Sequence, residues 1–204
     1  MDFLPEGEKE PEVSNYMKFE DGENRFRVLS SAVVGMEYWV EEGNKRKPVR
    51  KHMDENIPMD ELGIDKWGNQ EQPKYFWAFV VWNCKAERFQ ILEITQATVR
   101  KPIKALTTNK KWGDPKEYDI VVTKTGQEKL TEYQVTPDPK EKIDKAIETA
   151  YKATTINLEA LFTGDDPFAG EVEDRNDDSA KDELKTDDES DQDAELDKLF
   201  NGEL

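Results

Sequence analysis

The sequence predicts a mainly β fold: a small five-stranded barrel with peripheral helices and a disordered acidic C-terminal tail. Three observations carry this. Short runs rich in aromatic and β-branched residues recur between turn signals from Tyr16 to Thr136. A stripe at helical spacing follows them, and after Gly164 the sequence becomes acidic and low in complexity. Hydrophobic residues make up 35% of the 204 and charged ones 37%. Globular chains run closer to about 45–50% and about 25%, so a folded part is diluted by a solvated one.

Charge locates the solvated part. Residues 165–204 hold 17 acids against 4 bases, and residues 1–13 hold 5 acids and one lysine. Residues 14–164 hold 24 of each. The net charge of −17 therefore belongs to the two ends, and the middle is balanced. The longest apolar run, Tyr75 to Trp82, has eight residues, too few to span a bilayer. The first residues, Met1 to Gly7, are acidic and lack the apolar core of a signal peptide. With Cys84 the sole cysteine, no internal disulfide forms, which fits a reducing cytoplasm. His52 and Cys84, one of each, cannot supply a Cys/His zinc set; His52 reads as a solvated loop residue.

In chain order, residues 1–14 read as a flexible acidic arm. Regular structure begins near Tyr16–Phe19, before a turn over Glu20–Asn24. Arg25–Leu29 alternates polar and apolar residues, the period of a half-buried strand. Val33–Val40 is a second strand by its β-branched and aromatic content, and Glu41–Asn44 is a turn. Lys45–Lys51 is basic and reads as a turn or loop, and residues 52–73 read as a long loop. Tyr75–Trp82 and Arg88–Ile94 form a hairpin around Asn83–Glu87. Gln96–Leu106 is helical, with Pro102 imposing a bend or a late start. Tyr118–Thr123 and Leu130–Thr136 flank a turn at Gly126. Asp138-Pro139 marks a helix start. Ile143, Ile147, Ala150, Tyr151, Thr154, Leu158 and Leu161 then follow at helical spacing, to a stop at Gly164. The domain reading is thus arm 1–14, core 15–137, packed amphipathic helix 138–164 and tail 165–204.

About five short strands with a helix between them suit an OB-fold, whose face and loops bind oligonucleotides; a β-sandwich is the competitor. Aromatics interleave with bases from Tyr38 to Trp112, the chemistry of single-strand binding, in which cations meet phosphates and flat rings stack on bases. The stacking candidates are Tyr38, Trp39, Trp77 and Trp82. The phosphate candidates are Lys45, Arg46, Lys47, Arg50, Lys51, Lys74 and Arg88. The strand at 75–82 is apolar on both faces, Tyr75/Trp77/Phe79/Val81 and Phe76/Ala78/Val80/Trp82. One face lines the core; the other either meets nucleic acid or lies under the C-terminal helix.

Catalysis finds little support. Asp54, Glu55, Asp60, Glu61 and Asp65 do not follow calcium-loop order, and no phosphate-cradling loop, zinc-protease motif or nucleophile elbow appears. No cofactor and no metal is expected. In the tail, Leu196, Leu199 and Phe200 interrupt the acid at helical spacing, which reads as a partner-binding peptide. The tail's charge also suits it to compete with DNA for a basic groove.

Several stretches resemble phage-encoded single-stranded-DNA-binding proteins of the replication machinery. They are Asn15–Lys18, Asp21–Ser31, Gly35–Trp39, Phe76–Asn83, Gln90–Gln96, Trp112–Pro115 and Tyr118–Ile120, so the likeness covers about residues 15–137. The resemblance implies an OB-fold core that coats ssDNA without sequence preference during replication, recombination or repair. It also implies a tail that recruits replication and recombination proteins, and a place in the cytoplasm of the bacterial host. The chain lacks the zinc-ligand set of some relatives, and Phe200 lies four residues inside the end. The expected partners are ssDNA, with ssRNA as the other single strand, and no membrane. The rival reading is an acidic DNA mimic that binds a DNA-processing enzyme, and a small hydrolase is the third.

Overall fold

A computed structural model describes residues 14–43, 45–64 and 68–170. The expected arm, apart from Ser14, lies outside the described residues. So do Lys66, Trp67 and residues 171–204, with the tail candidates Leu196, Leu199 and Phe200. The described part is mainly β, as expected, but holds eight strands in one mixed sheet rather than five. They are β1 (Tyr16–Met17), β2 (Gly22–Val28), β3 (Val33–Glu42), β4 (Lys45–Lys51), β5 (Lys74–Asn83), β6 (Arg88–Ile94), β7 (Asp119–Thr125) and β8 (Glu132–Pro137). The helices are α1 (Ala97–Thr108), α2 (Lys145–Ala153) and α3 (Ala160–Thr163).

The hairpin read from β5 and β6 is present, with Asn83 opposite Arg88. Asn83 closes its turn by accepting the Lys85 and Ala86 N–H groups at 3.0 and 3.2 Å, the side-chain mimic of a backbone turn. The other edge of β5 is shared. Its C-terminal end pairs with β2 and its N-terminal end with β3. Between them Leu29 donates to the Val80 carbonyl and the Ser30 hydroxyl accepts the Val80 N–H, both at 2.9 Å. The chain from β2 to β3 therefore runs as one bent ribbon along β5. β7 pairs with the far side of β2, and β8 with β7. β1 pairs in parallel with β6, and the sheet stays open between β1 and β8. A cleft of about 220 Å³, lined by Met17, Phe19, Leu92 and Tyr133 among others, lies along that seam.

Two apolar clusters explain why β5 is apolar on both faces. Phe79 and Val81 join Phe26, Val28, Leu92, Ile94, Ile120 and Val122 inside the curved sheet, with Val99 and Ile103 of α1 closing one side. Phe76, Ala78 and Val80 face outward with Ile91 and are covered by Leu158 and Leu161. Of the two alternatives for the second face, the cover by the C-terminal segment is the one observed.

Three elements differ from expectation. Lys45–Lys51 is a strand, zipped to β3 from Met36↔Lys51 to Glu42↔Lys45. Among the described residues it pairs with β3 alone, and an edge position accommodates its three lysines and Pro48. The helix expected from Asp138 begins at Lys145, where the Asp144 carboxylate caps the Ala146 N–H at 2.7 Å; Asp138 pairs instead with Arg25. The single helix expected over 138–164 is two short ones, interrupted over 154–159; the stop at Gly164 is where expected, in the left-handed region, φ 81°. Pro102 sits inside α1 without ending it.

Candidate nucleic-acid interface

The hairpin β3–β4 gathers most of the cations that the sequence singles out, and the structure pairs them with acids. Arg46 bonds Glu71, and Lys47 lies 3.9 Å from Glu42. Lys51 meets Glu55 at 3.0 Å. Arg50 lies between two acids, 3.1 Å from Glu37 and 2.8 Å from Glu93. Burial pushes the Glu93 carboxyl up to about 8. A hydrogen bond with Glu37 and its negative charge push the same way, while Arg50 opposes. Arg50 is thus a fastener between β3, β4 and β6 with no charge to spare for phosphate. Lys45, Lys74 and Arg88 have no ion-pair partner among the described residues.

The aromatic candidates divide similarly. Tyr38 is 2% exposed and has no free face for a base; the loop bearing Leu62 covers its side of the hairpin, with the Gly63 N–H donating to the Trp39 carbonyl at 2.7 Å. Trp77 packs against the inner core. Trp82 lies edge-on to Phe89, which meets Tyr151 of α2. Trp39 is half-buried on the opposite face of the hairpin from Tyr38, with the Arg46 guanidinium 5.3 Å from its ring centre. A cleft of about 610 Å³ between hairpin and loop is lined by Glu41, Glu42, Asp60 and Glu61 against Lys47 as its one cation. Such a rim repels phosphate.

A second arrangement lies where β5 enters the sheet. Register places Lys51, Met36 and Tyr75 side by side on one face of β4, β3 and β5. The next row on that face is Val34 beside Trp77, and Val34 is 38% exposed. α1 reaches over this row, with the Arg100 guanidinium 4.5 Å from the Tyr75 ring centre. Such a cation–π contact positions charge beside a flat apolar floor. Three buried polar atoms at this junction, Trp77 Nε1, Gln96 Oε1 and Arg100 Nε, have no hydrogen-bond partner among the described residues. Each such orphan costs on the order of 1–3 kcal/mol; a fourth among the described residues, Tyr118 Oη, lies in the core.

Beyond Arg100, α1 and the turn after it carry Lys101, Lys104, Lys110 and Lys111, all exposed. No acid occurs from Ile94 to Gly113. None of these four lysines has an ion-pair partner among the described residues; Lys111 lies 5.2 Å from the Trp112 ring centre. The pattern of bases beside aromatics includes these residues, but residue type and spacing rank them no higher than the hairpin. The distinguishing signal available in the sequence is the acid-free stretch around them.

His52 and Cys84 fall in neither group. His52 is an exposed loop residue, as expected, and stacks on Phe162 at 3.8 Å between ring centres and 20°. Burial, then the Asp119 charge, pushes the Cys84 thiol up to about 11, the wrong direction for a nucleophile.

No family model, no curated protein and no solved structure matches the chain.

Proposed function

We propose that this chain is a non-enzymatic single-stranded-DNA-binding protein built on an OB-type barrel. In this reading β2, β5 and β6 are the first three barrel strands, α1 is the helix between the third and fourth, and β7 and β8 complete the set. The pairings β2–β5, β5–β6, β7–β2 and β7–β8 support it. The β3–β4 hairpin then expands the first loop, one of the places where OB-folds hold oligonucleotides.

The observation that carries the functional reading is the pair Met36–Tyr75 with Arg100 over the tyrosine and Val34 exposed beside it. A sequence-independent binder needs an apolar floor for base faces and cations at its margin. Lys74 joins the margin from the start of β5. The same reading assigns the protein to phage DNA replication, recombination or repair in the host cytoplasm. It assigns to the tail, residues 165–204, the recruitment of partner proteins through Leu196, Leu199 and Phe200. Among the described residues no helix is long and apolar enough to cross a membrane.

A gel-shift with poly-dT, duplex DNA and poly-rU tests this. Tight binding to poly-dT, weak binding to duplex and loss of about 1–3 kcal/mol per stacked base in Tyr75→Ala are expected. Equal affinity for duplex and single strands, or none for either, would overturn the reading.

A further inference from the structure

Tyr75 and Arg100 mark one end of a cationic row. Arg100 and Lys104 are four residues apart and so lie on one face of α1, one turn apart. Lys101 is their exposed neighbour. Thr108 continues the row to the end of the helix, and Lys110 and Lys111 follow it in the exposed turn. The rest of this surface, Ala97, Thr98, Ala105 and Thr107, is small and uncharged.

Helix stability does not account for the arrangement. A helix is stabilised by acids in its first turn and bases in its last. α1 has no acid in its first turn and no base in its last, and its first charged residues are Arg100 and Lys101. Nor does pairing across the surface account for it: the exposed lysines elsewhere that meet an acid, such as Lys85 with Glu20 and Lys152 with Glu148, show what pairing looks like in this protein. In the α1 row, Arg100 and Lys111 rest on aromatic rings, and no member has a carboxylate partner among the described residues.

We propose that α1 carries the continuation of a bound single strand. Bases rest on the Tyr75 floor, and the phosphates leaving it run along Arg100, Lys101 and Lys104 to Lys110 and Lys111. This rests on the reading of the protein as a single-strand binder and adds the path, which departs from the β3–β4 hairpin where the basic sequence is densest. A twelve-residue helix extends the contact by about 18 Å, at about 1.5 Å per residue. Binding therefore depends on oligomer length beyond what the floor alone needs.

The test is a salt series on the full chain with fluorescent dT oligomers spanning about 4 to 16 nucleotides, the range of OB-fold site sizes. For single strands the slope of log K against log salt is about −0.7 per phosphate neutralised. The pairs Lys101→Ala/Lys104→Ala and Lys110→Ala/Lys111→Ala should each flatten the slope for the longest oligomer by about 1.4, and weaken it more than the shortest. The control pair Lys85→Ala/Lys152→Ala removes the same formal charge from paired positions and should leave the slope unchanged. All six positions are exposed, and circular dichroism verifies the fold. Tight dT binding with wild-type slopes in both α1 variants would overturn the path and leave the function standing. Flattening by the control pair as large as that by the α1 pairs would reduce the effect to net charge and overturn the path as well. Failure of the unmodified protein to bind dT would overturn the function and the path together.

Discussion

The β3–β4 hairpin and α1 hold similar numbers of cations and treat them in opposite ways. On the hairpin, Arg46, Lys47, Arg50 and Lys51 each meet a carboxylate. On α1 and its following turn, Lys101, Lys104, Lys110 and Lys111 meet none among the described residues. A count of bases ranks the hairpin first, with five from Lys45 to Lys51. Available charge ranks it second. A paired cation has already given up water and rotamer freedom to its partner, so recruiting it to a phosphate first costs that pair. A lone lysine facing solvent carries no such cost.

The sharpest way to break this comparison is Arg50→Ala. It strands Glu37 and Glu93 without their shared cation, and losing one partner of a buried ion cluster costs about 3–5 kcal/mol. Lys104→Ala, an exposed residue with no partner, should stay within about 0.5 kcal/mol. Urea denaturation of the two variants tests the contrast; equal stability would show that Arg50 fastens nothing.

The same cluster makes a pH prediction. Glu93 titrates near 8 in the folded protein against an ordinary 4.5, so the folded state holds the proton more tightly. Its stabilising contribution is fully present below about pH 4.5 and is lost as pH rises to about 8, at no more than about 1.4 kcal/mol per unit. Glu93→Gln keeps a donor for Glu37 and carries no charge. It should match the parent at pH 5 and exceed it at pH 9. A parent whose stability rises over that interval, with no gain in the variant, would refute the assignment.

Truncation gives the smaller effects. Ending the chain after Gly164 removes Phe168 from the outer cluster and the Pro167 carbonyl that accepts the Asn157 N–H at 2.9 Å, so it should lower stability by about 1–3 kcal/mol. Ending it after Gly170 spares both and should leave the melting temperature unchanged. That shorter removal deletes 15 acids and 4 bases. A tethered polyanion acts at roughly millimolar effective concentration, so if residues 171–204 compete for the cations of α1, dT binding tightens at low salt. Equal or weaker binding would leave those residues a recruitment role only.

Strands whose side chains declare both faces were legible. Tyr75–Trp82 and Arg88–Ile94 alternate into two clusters, and the Asn83–Glu87 turn joins them. β4 was not, because Lys-Arg-Lys-Pro-Val-Arg-Lys has no apolar alternation; its strand character comes from Gly43, at φ 62°, and from the register that β3 offers. The start of α2 was misplaced because Asp138-Pro139 and Asp144 carry similar local signals, and the Asp119 carbonyl and Arg25 claim Asp138 for the sheet. The candidate site was legible in residue type and not in pairing. Arg46 finds Glu71, and Arg50 finds Glu93 43 positions away, and no local pattern announces such partners.

The cover over the outer face of β5 and β6 has a mechanical consequence. Among the described residues, every main-chain hydrogen bond of 145–170 stays within 144–170. What holds it to the sheet is the side-chain packing of Leu158, Leu161 and Phe162, with the rings of Phe89 and His52. Phe162 seats against the Gly35 backbone, where a Cβ would come within 2.7 Å of its ring and strike the Lys51 carbonyl oxygen. A strand pulled from a sheet must break its ladder bonds together. This segment, loaded from its C-terminal end, would instead peel away one side chain at a time, each release small, and the sheet strands beneath would feel no shear.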